Sequence, residues 1–506
     1  MKIAFRVDAS LEMGSGHVMR CLTLADELLR QGAAARFICR HLPPSLEALI
    51  QAHGHPILRL APAVDANGCK SPLSHGHWLR TSQEEDAVAT RAALGDEDSV
   101  DWLVVDHYAL DHRWESALRT HARYILAIDD LADRRHNCDV LLDQNLHDQA
   151  DQRYLGLVPG HCRLLLGPRH ALLRPEFHAR RAGLQRNPGP VGRLLIFFGG
   201  MDMSNLTGRV LQALTAVTDP KLVIDVVIGA AHPAITSIRS LCHSRPRTYC
   251  HVQVENMADL MVAADLALGA GGGSVWERCA LGLPTLSLCL ADNQAGQLRA
   301  AARAGLLVAP DQPYPDMSTV LLHLQAVMEN EGLRSLLMHN SLAAVDALGT
   351  SRVAHFLWQS ELTLRRACRN DSVALNAWRN APAVRAVSRQ ADPIAKADHE
   401  RWLDAVLGDP RRSLLIGEVR GQPIGVVRFD LVADRAEVSI YLVPGQDGRG
   451  LGSLLLLAAE RWLYQSHPEL KQIEAEVLRD NARSHQLFRQ CGYQLDITRY
   501  RKAFDT

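Results

Sequence analysis

The 506-residue chain has no apolar run near the ~18 residues that a bilayer span requires, so a membrane anchor is not expected. The start, Met1-Lys2-Ile3-Ala4-Phe5-Arg6-Val7-Asp8, brings in charge too early for a secretory leader. A formal net charge of −1 gives no bulk attraction to nucleic acid or membrane. No C-x-x-C pair occurs, which argues against a zinc ribbon or a redox motif, and no H-E-x-x-H occurs among the 23 histidines. No metal is therefore expected. The 11 cysteines are an odd, scattered set, as expected for reduced thiols in a cytoplasm. What is present is 47% apolar and 22% charged residues, the balance of a soluble globular protein. At ~150 residues per domain the length suggests three domains.

The opening strand Ile3–Val7 runs into Met13-Gly14-Ser15-Gly16-His17-Val18-Met19-Arg20. After it, Cys21, Leu22, Leu24, Ala25, Leu28 and Leu29 recur at helical spacing up to Gly32. Gly14 and Gly16 let a ligand approach the backbone, and free N–H groups at the helix start favour an anion. The helix dipole disfavours imidazolium at His17, so a neutral ring able to take a proton from water is expected. The turn by itself is equally compatible with an incidental histidine.

Three short apolar runs then open onto polar residues: Asp101–Asp106 before His107-Tyr108, Tyr124–Asp129, and Cys138–Asp143 before Gln144-Asn145. Ligands bind at the carboxyl ends of parallel strands. Asp106, His107, Tyr108, Asp129 and Asn145 are therefore candidates as a group, although any one alone better suits a loop cap. Residues 65–98 read as a polar loop and a surface helix. Gln185–Gly192 is rich in Pro and Gly and reads as a linker.

Beyond it, Arg193-Leu-Leu-Ile-Phe-Phe-Gly199-Gly200-Met201-Asp202 restarts the strand–glycine–helix pattern, with further strands at 222–228, 251–254 and 265–268. The expected fold class is α/β: two doubly wound Rossmann-like domains, 1–185 and 193–350, then a third domain at 365–506. A strand ending in Gly269-Ala-Gly271-Gly272-Gly273 leads into Ser274-Val-Trp276-Glu277 and Ala280-Leu-Gly-Leu-Pro284. The glycines can expose N–H groups to a diphosphate, and Glu277 can accept from ribose hydroxyls. Glu277 also suits the start of a helix, the lesser of the two readings because the glycine cluster and the carboxylate occur together.

The Gly272–Pro284 segment resembles the nucleotide-binding segment of GT-B glycosyltransferases of the MurG kind. Phe5-Arg-Val-Asp8-Ala-Ser10 through Ala25, with Asp106-His-Tyr108, Asp129-Asp130, Tyr154–Pro159, Ala171–Phe177 and Phe198–Asp202, resembles more closely the UDP-sugar hydrolases of pseudaminic acid biosynthesis (PseG). That likeness spans about residues 1–350. It implies release of UDP from UDP-2,4-diacetamido-2,4,6-trideoxy-β-L-altropyranose, with inversion and without a metal. It implies His17 as general base, and Asp8, Gly14, Gly16, Tyr108, Asn145, Arg174 and Gly200 around sugar and diphosphate. Gly273, Ser274 and Glu277 would hold diphosphate and ribose, and the backbone near Asn256-Met257 the uracil.

The last third opens with Ala377-Trp378-Arg379-Asn380, a hairpin through Leu414–Asp430 and a strand at Ala436–Val443. Pro444-Gly445-Gln446-Asp447-Gly448-Arg449-Gly450-Leu451-Gly452 then enters an apolar helix. With Ile473–Tyr493 this resembles the GNAT α+β acetyltransferases, and in its opening and its Glu-Ala-Glu-Val-Leu strand the PseH-type branch. The likeness implies acetyl-CoA as co-substrate, contacted by Val443, Gly448, Arg449, Gly450, Leu451, Gly452, Asn481 and Phe488, with a UDP-4-amino sugar as acceptor. Asp447 stands where the family places Gln or Arg, and Phe488 where many members place a tyrosine acid. Glu437 and Tyr441 are candidates for proton handling. The expected protein is a cytoplasmic bifunctional enzyme acting on UDP-amino sugars. Two rivals remain: a GT-B transferase that needs an acceptor, and a non-catalytic C-terminal module.

Overall fold

The computed structural model describes residues 1–62, 72–95, 99–187, 189–214, 221–310, 316–448 and 450–496. The chain divides into two compact units, Met1–Leu29 with Ala33–Val353, and Ala354–Thr506 with Arg30–Gly32. No helix among the described residues is long and apolar enough to cross a membrane.

The first unit holds two wholly parallel sheets. One contains β1 (Lys2–Val7), β2 (Ala34–Cys39), β3 (Ile57–Arg59), β4 (Val100–Asp106), β5 (Ala122–Ile128), β6 (Val140–Asp143) and β7 (Arg163–Leu166), in the order β3-β2-β1-β4-β5-β6-β7. The other contains β8 (Arg193–Phe197), β9 (Val223–Ile228), β10 (Thr248–Val252), β11 (Leu266–Ala270) and β12 (Thr285–Leu288), in the order β10-β9-β8-β11-β12. These strands are apolar almost throughout because both faces are buried: Ile3, Phe5, Val7, Leu103, Val104, Leu194, Ile196, Leu266 and Leu268 are all in the core.

In each sheet the winding reverses once. From β1 the chain steps outward to β2 and β3, then returns to place β4 on the other side of β1. The second sheet reverses in the same way between β8 and β11. The loops that leave paired strands diverge at such a point and open a crevice. The loops after β1 and β4, and after β8 and β11, are the segments singled out in the sequence.

The second unit has one five-stranded sheet: β13 (Leu362–Arg366), β14 (Arg412–Val419), β15 (Gln422–Val432), β16 (Arg435–Leu442) and β17 (Gln472–Ala475). It is antiparallel except for β16 and β17. Their parallel register ends at Val438↔Ala475, although β16 continues to Leu442.

Several expectations need correction. The third strand of the second sheet is Thr248–Val252 rather than 251–254. The helix expected from about Ser204 begins at Leu206, because Asp202 binds the amides of Leu206 (2.9 Å) and Thr207 (2.8 Å). Within the expected 185–192 linker, Arg186 donates to the carbonyls of Leu281 (3.0 Å) and Met261 (2.7 Å). Part of 65–98 lies outside the described residues. The rest is a 3₁₀ turn, Gly76–Leu79, and a helix, Gln83–Leu94, whose Asp86 is fully buried.

Candidate active site

At the reversal point of the first sheet, Val7 pairs with Asp106 in the β1–β4 register. The chain leaves β1 through a turn closed by Gly14 N to Ser10 O at 2.9 Å. Gly14 has φ +73°, a conformation that costs a residue with a Cβ ~1 kcal/mol or more. The helix Gly16–Arg30 then starts, placing His17 and Arg20 three residues apart on one face.

Both reach Asp106. His17 Nδ1 lies 2.6 Å from Asp106 Oδ1. Arg20 forks onto the carboxylate, Nε to Oδ2 and Nη2 to Oδ1, each at 2.6 Å. Burial opposes the charge on Asp106, but Arg20 and His17 overcome that and hold the carboxyl below its usual range. An ionised Asp106 accepting from Nδ1–H leaves the lone pair on Nε2. That nitrogen has no hydrogen-bond partner among the described residues, and the side chain keeps 8% exposure. The ring meets Tyr108 edge-on at 4.7 Å and Trp78 at 6.3 Å, and Trp78 stacks on Tyr108 at 5.6 Å.

Asp130 ties the next loop into this cluster. It accepts from the Tyr108 hydroxyl, from Asn145 Nδ2 at 3.1 Å and from Arg20 Nη1 at 3.4 Å. Burial and the Asp130 charge push the Tyr108 phenol well above its ordinary value, so it stays a donor. Asn145 Oδ1 in turn accepts from Trp276 Nε1 at 2.9 Å, a bond from the loop after β6 to the helix that follows β11.

Behind this layer lies a buried charge cluster, and it takes Asp8 out of the ligand's reach. Asp8 is fully buried and accepts from Arg6 Nη2 (3.1 Å), Arg40 N (2.7 Å) and His41 N (3.2 Å). His107 Nε2 is 3.3 Å away. Arg6 also donates to Asp86, at 3.0 and 2.8 Å. Asp8 thus holds the β1 and β2 ends together rather than lining a sugar pocket, and His107 is likewise sealed in. Asp129 is buried against Arg134 (2.7 Å), which together with His136 outweighs burial and brings its carboxyl down to about 2.

On the second sheet, β11 ends in Gly271–Gly273 and the helix Ser274–Ala280 follows. A Cβ on Gly273 would sit 3.8 Å from Gln144 Nε2 of the opposite sheet. Glu277 pairs with Arg174 at 3.3 Å, and Arg174 also meets Glu176 at 3.0 Å. The residues expected at ribose and diphosphate are therefore neighbours. Gly200 packs against Gly229, whose amide donates to its carbonyl at 3.1 Å. The Met257 side chain belongs to the apolar core, so only its backbone is available to a base.

From sequence alone Trp78 and Asp86 fall in a polar loop and a surface helix, and Arg20 and Asp130 carry no expected role. The signal for Arg20 was its i+3 spacing from His17. Nothing local ties Trp78 to the site, because the contacts that place it there are to His17 and Tyr108, 30 or more positions away.

In the second unit, Gly445, Gly448 and Gly450 have φ of +87°, +77° and +71°. The 16-residue helix Leu451–Ser466 that follows has no side-chain cap. Its first amides are thus open to an anion, which fits the pyrophosphate of acetyl-CoA. Beyond Val438 the edge of β16 is free of β17 and can take a pantetheine amide. Arg449 lies outside the described residues. Asn481 caps the next helix, accepting from Ser484 N at 3.1 Å. Phe488 is buried with its ring 4.9 Å from Tyr493, whose hydroxyl donates to Glu460 at 2.7 Å. Burial pushes the Tyr441 phenol up, and Glu437 sits 3.4 Å from Arg389.

Two Rossmann-like parallel sheets are followed by a mostly antiparallel five-stranded sheet in a separate unit. Residues 361–494 match the acetyltransferase (GNAT) domain family. Over 307 residues the chain is 25% identical to the UDP-2,4-diacetamido-2,4,6-trideoxy-beta-L-altropyranose hydrolase of Campylobacter jejuni, covering 60% of this chain and 97% of that one. An uncharacterized protein of Methanocaldococcus jannaschii is 23% identical over 512 residues, 98% of this chain and 97% of its own. MurG of Acinetobacter baumannii aligns with TM-score 0.48 at 15% identity, over 70% of this chain and 98% of that chain. The chain thus joins a homologue of a UDP-sugar hydrolase to a GNAT domain.

Proposed function

We propose that the protein performs two successive steps on one UDP-amino sugar. The C-terminal domain, 365–506, acetylates the 4-amino group. The pair 1–185 and 193–350 then hydrolyses the diacetamido product, UDP-2,4-diacetamido-2,4,6-trideoxy-β-L-altropyranose, to the free sugar and UDP. The observation that carries this reading is the His17–Asp106 pair, with an open Nε2, at the reversal point of the first sheet. The similarity to the C. jejuni hydrolase, which is named for that substrate, supports the choice of sugar.

In the hydrolytic step His17 Nε2 takes a proton from water as the oxygen attacks the anomeric carbon. The C1–O bond to the β-phosphate breaks, its electron pair leaves with UDP, and the configuration inverts. Asp106 keeps Nδ1 protonated and Arg20 keeps Asp106 ionised. Tyr108 and Asn145 orient the sugar, and Arg174, Gly273, Ser274 and Glu277 hold the nucleotide. In the acetyl transfer, the amine attacks the thioester carbonyl, the C–S bond breaks, and the thiolate takes up a proton. Gly448, Gly450, Leu451 and Gly452 hold the acetyl-CoA pyrophosphate. Tyr441, kept protonated by burial, is a candidate donor where Phe488 lacks a hydroxyl.

The test is NMR of the full chain with UDP-4-amino sugar and acetyl-CoA, following the N-acetyl and anomeric signals. N-acetylation followed by free sugar and UDP supports the reading. UDP release only when an acceptor alcohol is added would assign a glycosyltransferase instead. An absence of acetylation alongside UDP release would leave the C-terminal domain a binding module.

A further inference from the structure

Most deeply buried arginines of the first unit are paired with carboxylates: Arg6 with Asp8 and Asp86, Arg40 with Asp86, and Arg134 with Asp129. Two are not. Arg334 spends its N–H groups on carbonyls, those of Val327 (2.8 Å), Met328 (2.6 Å) and Gly189 (2.6 Å), the first two at a helix end where a cation is favoured. Arg278 is different. It is 1% exposed, and among the described residues no carboxylate lies within ion-pair distance.

Its guanidinium spans the two ends of the glycine loop. Nη2 donates to Ala270 O at 2.8 Å, the last residue of β11, and to Ser287 Oγ at 3.1 Å. Nη1 donates to Ser274 Oγ at 3.0 Å, the first residue past the loop. Nε has no partner. Room for the group exists because residue 269 is glycine: a Cβ there would fall 2.6 Å from Nη1 and 2.7 Å from Phe197 O. The loop's nearest outward neighbours are the neutral amides of Gln294 and Gln144, 4.0 and 3.8 Å from ideal Cβ positions on Gly272 and Gly273. A buried cation with only neutral partners is costly to keep. Burial brings its pKa down to about 10, still charged at neutral pH.

We propose that Arg278 is a positioning residue whose charge, without an ion-pair partner and held beneath Gly271–Gly273, sets the preference of this site for a nucleoside diphosphate over the uncharged nucleoside. Glu277 attracts this charge through space but makes no ion pair with it; an anion on the loop adds countercharge in a low-dielectric setting where it is little screened. The inference rests on the reading that this loop holds the diphosphate of the UDP-sugar.

Calorimetric titration of the full chain with UDP and with uridine tests it. Wild type should bind UDP more tightly than uridine. Arg278→Met should weaken UDP by about tenfold or more while moving uridine by less than about twofold. Arg278→Lys, which keeps the charge and the apolar stem, should hold the UDP-to-uridine affinity ratio within about threefold of wild type. Equal losses for UDP and uridine in Arg278→Met, or no loss, would overturn the proposal and make the residue a structural strut. If Arg278→Met does not fold, Arg278→Lys decides alone: a ratio that collapses overturns the role of charge, and one that persists supports it. If wild type binds no UDP, the assignment of the loop to the nucleotide fails first, and with it the premise.

Discussion

Asp106 stands between two donors of one helix face: His17 Nδ1 at 2.6 Å from Oδ1, and Arg20 Nε at 2.6 Å from Oδ2. The carboxylate orients the imidazole and fixes its tautomer, while the guanidinium supplies the charge that keeps the carboxylate ionised. His17→Ala should lower hydrolytic turnover by ~10²–10⁴ and leave UDP binding within a few-fold, since a general base acts on water and not on the nucleotide. Asp106→Asn keeps the shape but can present an N–H to Nδ1 and move the lone pair away from Nε2. It should lower kcat by ~10² or more with KM nearly unchanged. Steady-state assays of UDP release check both, and a near-wild-type kcat in either removes the pair from the chemistry.

The bond from Trp276 Nε1 to Asn145 Oδ1, 2.9 Å long, joins the helix after β11 to the loop after β6. Trp276→Phe and Asn145→Ala each break it. In a double-mutant cycle on stability they should couple by ~0.5–1.5 kcal/mol, the net worth of one buried hydrogen bond. Additive losses would mean that the contact contributes nothing.

Asp86 accepts from Arg6, Arg40 and Trp114 and is fully buried. Asp86→Ala leaves two guanidinium groups with an incomplete partner set and should cost ~3–5 kcal/mol, read as a lower urea midpoint. Activity of the molecules that remain folded should be nearly normal, since Asp86 lies behind the site.

Asp8, Asp86, Asp106 and Asp129 are all held below the ordinary carboxylate range. In each, burial opposes the shift and a nearby arginine drives it. Their folded values lie below the unfolded one of ~3.9, so their contribution is complete above that value and is lost as pH falls through the folded values. The carboxylate contribution should stay level from neutrality to about pH 5 and fall steeply below pH 4, while His41, His107 and His170, held below the ordinary imidazole value by burial, add a shallower loss as pH falls below about 6.5. Thermal melts across that range check the sign, and a maximum below pH 4 would contradict it.

Gly448 has φ +77° with open space where a Cβ would point, so a side chain there is strained without being crowded. Gly448→Val should raise the KM for acetyl-CoA by about tenfold while UDP release by the first unit is unchanged. Equal loss of both activities would show that the two are not separable.

Much of this was legible in the chain. The strand–glycine–helix punctuation at Gly14–His17, Gly199–Gly200 and Gly271–Ser274 marked both parallel sheets, because strands buried on both faces are written as apolar runs. Strand order was not legible, since nothing local tells β4 to return beside β1. That return brings Asp106, 89 residues away, against His17. The same limit explains Asp8, which reads as a strand-end carboxylate but is enclosed by Arg6, Arg40 and His107. The helix dipole was the sequence-level reason to expect a base at His17; the tautomer set by Asp106 is a firmer one.

Hydrolysis of the UDP-diacetamido sugar in water enriched in oxygen-18, with mass spectrometry of the released UDP, puts the attack at the anomeric carbon to its most direct test. Water activated by His17 at C1 predicts UDP without the heavy isotope, formed in the absence of any acceptor and lost in His17→Ala. Heavy oxygen in the β-phosphate of UDP would place the attack on phosphorus and contradict it.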